Sequence, residues 1–241
     1  MSQKEKIGGR AYKNGVRLMN SRFSVKAYYD ENGKLQVKLS SVKRSKHYKL
    51  IKKIPIIRGI VSLLMAIWIF LKEGINNPKK NWAILLILLL DLLYIFIPGS
   101  ESQVTNNILN LIYFGFPALL LLLFRKTISE VLKYHGAEHK VVHYYENDCQ
   151  GDIQSYSRLH KRCGSNIVFY YLLITCTVGL FVYIPLNPLL LELLFLGIAY
   201  ELIRYTPEQL LFLPYLFQRL VTKEPEERHI RAAKAALELL R

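Results

Sequence analysis

Residues 82–98 read WAILLILLLDLLYIFIP, with Asp91 as the only charge, and this run governs how the whole chain is read. Runs of similar character occupy residues 108–124, 167–184 and 189–205. A stretch of about 17–25 apolar residues is long enough, as a helix, to cross a hydrocarbon core of roughly 30 Å. A helix on the core of a soluble protein normally keeps a polar face, and residues 85–93 offer only Asp91 for one. The sequence therefore predicts a mainly α integral membrane protein with four transmembrane helices. Asp91, near the middle of its run, is the one feature favouring a transporter, because an acid at that depth faces protein and often has a role.

Residues 54–71 form a fifth apolar run, interrupted by Arg58, Gly59 and Ser62. Loop charges decide its fate. If it does not span, the Lys- and Arg-bearing segments at 72–80, 125–162 and beyond 207 all lie on the inner side, and the loops at 99–106 and 185–188, which lack Lys and Arg, lie outside. Residues 54–71 are accordingly expected as a re-entrant or interfacial helix, with both termini cytoplasmic. The chain divides into a basic β region (1–53), a membrane domain (54–205) with a cytoplasmic loop and helix (126–165), and a helical tail (206–241).

The net charge is +15 over 241 residues. Residues 1–53 hold fifteen Lys and Arg against Glu5, Asp30 and Glu31, a net of twelve. Beside apolar helices such a segment points to anionic lipid headgroups and the cytoplasmic side rather than to nucleic acid. Within it, Phe23, Val25, Ala27 and Tyr29 alternate with polar residues, as do Leu35, Val37 and Leu39, around an Asp-Glu-Asn-Gly turn at 30–33. That pattern predicts a β-hairpin, with the stretch 8–16 as a further strand. Residues 1–10 lack a secretory signal pattern. Cys149, Cys163 and Cys176 are odd in number and lack CxxC spacing, so nothing suggests a disulfide framework, which suits a reducing compartment; Cys176, inside an apolar run, reads as packing.

The sharpest chemical feature is His135-Gly136-Ala137-Glu138-His139, an H-x-x-E-H pattern. It falls on a helix expected from a capping-box pattern at Thr127–Glu130 to about Glu146. Residues four apart share a helix face, so both imidazoles can reach one metal, and Glu138 can act as a base on water. Further candidate ligands converge in the expected topology. Glu201 has the downstream position of the third inverted-zincin ligand, unless it pairs with Arg204. Cys163 is an alternative ligand, or a nucleophile activated by a histidine. His143 and His160 are additional candidates. A divalent metal, zinc first, suits this donor set.

At these residues a resemblance becomes visible. Gly8-Gly9 with Gly15-Val16, Ile54-Pro55 with Arg58-Gly59, the Tyr-His-Gly-Ala-Glu-His-Lys run at 134–140, Arg162-Cys163-Gly164, Tyr200-Glu201, Gln218-Arg219-Leu220 and the Thr-Lys-Glu-Pro run at 222–225 together resemble the YqhQ family of bacterial membrane proteins. That group has no assigned function and is described as predicted metal-dependent enzymes. Arg10, Asn14 and Lys161 stand where the family pattern has Gln, Glu and Pro. The resemblance implies a bacterial cytoplasmic membrane and a metal, and supplies no reaction.

The expectation is a metal-dependent membrane hydrolase at the inner leaflet acting on a lipid-linked or membrane-proximal substrate, with room for a homo-oligomer. Its rival is a non-enzymatic scaffold or interaction protein whose histidine cluster is structural. A metal with an open coordination position favours the first, and four closed protein ligands the second.

Overall fold

The computed structural model describes residues 5–42, 46–76, 115–182 and 184–241, together with residues 82, 85, 86, 89 and 111. It forms two compact units, residues 1–61 with 129–241, and residues 62–128. In the second unit Trp82 meets Phe124 edge-on at 5.8 Å.

The first unit opens with strands β1 (Gly8–Tyr12), β2 (Gly15–Met19), β3 (Phe23–Tyr29) and β4 (Leu35–Ser41), an antiparallel meander in chain order. The expected hairpin is β3–β4, closed by the Tyr29–Leu35 pair. Asp30 accepts from the N–H groups of Asn32 and Lys34, and Gly33 supplies the left-handed turn residue at φ 73°. The stretch expected as one strand over 8–16 instead folds back on itself as the β1–β2 hairpin, with Tyr12 opposite Gly15.

Period-two alternation turns Val16, Leu18, Val25 and Ala27 to one face, where they are fully buried. A sheet with one apolar face needs that face covered. Here its apolar face is covered by the C-terminal helix, which packs on β2, β3 and β4. That helix, Glu227–Leu240, opens with a capping box between Glu226 and His229 and contributes Ala232, Ala233, Ala236, Leu237 and Leu240 to the core. Tyr134, Ala137, Val141 and Val142 of the histidine-bearing helix complete it.

In chain order the helices whose two ends are both described are α1 (Lys46–Ile51), α2 (Ile57–Asn76), α3 (Arg125–Glu146), α4 (Gly164–Phe181), α5 (Pro188–Tyr205), α6 (Phe212–Leu220) and α7 (Glu227–Leu240), and residues 115–123 are helical as well. The expected N-terminal cap of α3 at Thr127 is not its start. The helix is already formed at Arg125, while its C-terminus at Glu146 lies as expected, ahead of left-handed Asp148, Cys149 and Gly151.

Among the described residues, these seven helices and the four-stranded sheet correct the expectation of four transmembrane helices plus a re-entrant one. Among the described residues a single helix, Ile57–Asn76, is long and apolar enough to cross a membrane, and it is the one assigned a non-spanning role by loop charge. The run at 167–184 is offset from its helix, since α4 begins at Gly164 and is capped at Val182. The run at 189–205 lies in α5, which carries Glu192, Glu201 and Arg204 and buries Phe195, Gly197, Ala199 and Ile203 against protein. Most of residues 82–98, with Asp91, and most of 108–114 lie outside the described residues. All three cysteines are free, and Cys176 is exposed rather than packed.

Candidate metal centre

Helix α3 carries His135, His139 and His143 at successive four-residue steps, so the three imidazoles stack along one face. Ring centroids of His135 and His139 are 4.5 Å apart. Each ring is fixed by a backbone carbonyl. His135 Nδ1 donates to Val221 O at 2.9 Å and His139 Nδ1 to Arg158 O at 2.6 Å. A carbonyl only accepts, so the proton of each neutral ring sits on Nδ1, and the lone pair of each Nε2 is left for another partner. This is how metal-ligating histidines are commonly oriented.

The third donor is Cys163, the N-cap residue of α4, whose Sγ lies 3.4 Å from His135 Nε2 and 3.1 Å from Ser165 Oγ. One ligand atom each from His135, His139 and Cys163 can lie within 4.8 Å of the others. Burial opposes ionisation of the Cys163 thiol, but the adjoining His135 and His139 imidazoles outweigh it and hold the thiol well below its usual range. Burial likewise pulls His135 down, and contact with the Cys163 sulfur overrides it, pushing His135 up to about 9. Each group therefore favours the charged form of the other. A divalent ion would displace the imidazolium proton and keep the thiolate.

Glu138 lies on the same side of α3, buried beside the cluster. Burial raises its carboxyl above the usual range, against the pull of His139 and His135. Strand β1 makes room for it, because a Cβ on Gly9 would stand 2.7 Å from the Glu138 carboxyl group. A cavity of about 440 Å³ opens here, lined among others by Gly9, Arg10, His135, Glu138, His139 and Cys163. The two histidines, the cysteine and the acid thus share one chamber.

Glu201 does not join them. Its carboxylate is held by Arg58, with Nε donating to Oε1 at 2.7 Å and Nη2 donating to Oε2, and it also accepts from the Ile56 N–H at 3.1 Å. The sequence offered Arg204 as its partner. The signal for Arg58 was its position as the lone charge at the start of an apolar helix.

His143 and His160 form a second group with Glu146. It is closed by its own hydrogen bonds. His143 Nε2 donates to Leu159 O at 2.9 Å. His160 Nδ1 accepts from the Arg162 N–H, its Nε2 faces Glu146 at 3.2 Å, and Glu146 is also paired with Arg162. Both nitrogens of His160 are engaged, so this group supports the loop that carries Cys163.

Two supporting residues were given no role by the sequence reading. Gln218, fully buried, accepts from the His160 N–H at 2.9 Å and donates to the His160 carbonyl at 3.2 Å, clamping that loop. Lys140 is buried, pairs with Glu224 at 2.6 Å and donates to Gln154 O, so the Lys that ends the motif is structural.

The chain is similar to "Uncharacterized protein YqhQ" of Bacillus subtilis (strain 168), with 28% identity over an alignment that covers 97% of this chain and 92% of that one. No solved structure matches. Residues 22–241 match the family model described as "Protein of unknown function (DUF1385)", a reach that takes in the histidine helix, Cys163 and Gln218, and the chain belongs to that family.

Proposed function

We propose that this chain is a metal-dependent hydrolase in which His135, His139 and Cys163 hold a divalent ion, zinc first, and Glu138 is the general base. The observation that carries the reading is the convergence of three donors within 4.8 Å on one wall of an open cavity. The donor chemistry fits, since two imidazoles and a thiolate are a zinc set and three protein ligands leave a position free. An ion bound there would polarise a substrate carbonyl or phosphoryl oxygen and acidify a water. The chain's own part is to hold both imidazoles by their Nδ1 protons, to keep Cys163 ionised, and to present Glu138. With its carboxyl raised by burial, Glu138 can accept a proton from water and return it to a leaving group. In this reading the enzyme works beside the bacterial cytoplasmic membrane on a lipid-linked or membrane-proximal substrate. Helix Ile57–Asn76 and the basic N-terminal region support that setting.

The test is zinc stoichiometry by chelator competition, followed by hydrolysis of a panel of nitrophenyl esters and phosphates. One zinc per chain is expected, lost in His135→Ala and His139→Ala and kept in Glu138→Gln, with activity lost in all three. A second reading rests on the 3.4 Å contact between Cys163 Sγ and His135 Nε2, which would suit a thiol nucleophile. Alkylation by iodoacetamide separates the two. Zinc protects Cys163 if it is a ligand. Absence of zinc binding, with Cys163 alkylated equally in its presence, would sink the metal reading and leave the nucleophile.

A further inference from the structure

The outer face of the sheet carries a row of four cations. Arg10 pairs with Arg17, Arg17 with Lys26 and Lys26 with Lys38, one residue from each strand. Directly opposed residues point to the same face, and here that is the face away from Val16, Leu18, Val25, Ala27 and helix α7. Strands about 4.8 Å apart make the row about 14 Å wide. Like charges directly opposed across strands are destabilising. The neighbouring row offsets part of this with two tyrosines. Arg10, Arg17 and Lys26 lie over the Tyr12 ring, Lys26 at 4.1 Å from its centroid, and Lys26 and Lys38 lie 5.5 Å from that of Tyr28.

We propose that this four-cation row is a docking surface for anionic lipid headgroups. Charge complementarity selects a phosphate-bearing partner. Two observations select lipid over nucleic acid. The tyrosine faces are occupied by ammonium and guanidinium groups, so they are not open platforms for stacking bases. The same chain also carries helix Ile57–Asn76, long and apolar enough to cross a membrane. Arg10 belongs to both the row and the lining of the cavity with Glu138 and Cys163. The proposal does not depend on the hydrolase reading, because binding is measured without turnover.

The 241-residue chain is titrated with vesicles of phosphatidylcholine alone and with vesicles containing one third phosphatidylglycerol. Tighter binding to the anionic vesicles is expected, with the gain disappearing at high salt as exposed charges are screened. Each cation removed from the row should weaken binding about fivefold, so Arg17→Gln with Lys26→Gln should lose roughly 30-fold. Arg231→Gln with Lys234→Gln, an equal change of charge on exposed positions of α7, should stay within about twofold of the parent. Lys38→Glu, exposed on edge strand β4, repeats the test should the double variant fail to fold. Equal binding to both vesicles, an undiminished gain in the row variants, or tighter binding to a mixed-sequence RNA than to the anionic vesicles would overturn the proposal.

Discussion

Gly136 packs against the backbone of Lys223, and a Cβ built on Gly136 would stand 2.1 Å from the Lys223 carbonyl oxygen. The contact brings the segment after α6 against the histidine-bearing helix, where the nearby Val221 carbonyl can hold His135 Nδ1. In a solvent-exposed helix, glycine to alanine gains about 0.8–1.0 kcal/mol. Here the obstacle is backbone, which cannot rotate aside as a side chain can. Gly136→Ala is expected to lose about 2 kcal/mol of stability by denaturant unfolding. It should also lower zinc affinity by about 10–100-fold through the displaced His135 partner. A variant as stable as the parent would mean that the segment from 221 to 225 is not seated as the structure has it.

The sequence made part of this site legible. Spacing alone put His135, His139 and Glu138 on one side of a helix, and Cys163 was identified as the residue at the start of the next apolar helix. Hidden from it were the groups that orient them. Val221 O and Arg158 O are backbone atoms, whose side chains carry no mark of the role, and Gly9 acts by what it lacks. Glu201 misled because its position matched a ligand pattern, whereas the decision between ligand and ion pair is made by Arg58, far away in the chain. The β-hairpin could be read because period-two alternation and an Asn-Gly turn are local. Counting apolar residues failed for the membrane spans because a run does not stop where a helix is capped, at Val182, and does not distinguish lipid from the protein neighbours of Phe195 and Ile203.

Gln218 is a positioning residue for the loop from Arg158 to Cys163. Its amide satisfies both the N–H and the carbonyl of His160 in a fully buried setting. Gln218→Leu keeps the volume and removes both bonds; the His160 carbonyl keeps the Cys163 N–H and Asn166 Nδ2 as donors, but the buried His160 N–H is left unsatisfied at about 1–3 kcal/mol. The loop carries the Arg158 carbonyl that orients His139 as well as Cys163 itself. Zinc affinity measured by chelator competition should therefore fall by about 10–100-fold. A Gln218→Leu protein that is destabilised yet binds zinc like the parent would show that the clamp serves folding alone.

Glu201→Ala separates a structural role from a ligand role. The substitution leaves Arg58 without its carboxylate and the Ile56 N–H without its acceptor, at a residue already in a left-handed conformation, φ 64°, unusual for a β-branched side chain. Breaking one half of a largely buried pair is destabilising because the other charge stays behind. Tm should drop, while zinc stoichiometry stays at the parent value. Loss of zinc with an unchanged Tm would restore Glu201 as a ligand.

His229 sets a pH dependence independent of any metal. It is fully buried at the start of α7, stacked edge-on against Tyr134 with centroids 4.5 Å apart. Its Nδ1 accepts from the Glu226 N–H at 3.1 Å, which assigns the proton to Nε2, facing Glu130 at 3.3 Å. The charged groups around it are Glu130 on α3, Glu226 at the cap and Arg228 beside it. Burial lowers its pKa first, the Glu130 carboxylate opposes that and Arg228 adds to it, leaving the imidazole below its usual 6.5. With a lowered folded value, the unfolded chain takes up this proton before the native chain does, so stability rises with pH across the interval between the two values. The contribution is complete above pH 6.5 and is lost as pH falls from there toward the lowered folded value. Melting curves from pH 8 to pH 5 should therefore show Tm falling below about pH 6.5. His229→Gln, which can keep an acceptor for the Glu226 N–H, should remove part of that slope even though it lowers Tm at pH 8. If the slope between pH 8 and pH 5 is the same in parent and variant, His229 is not the titrating group.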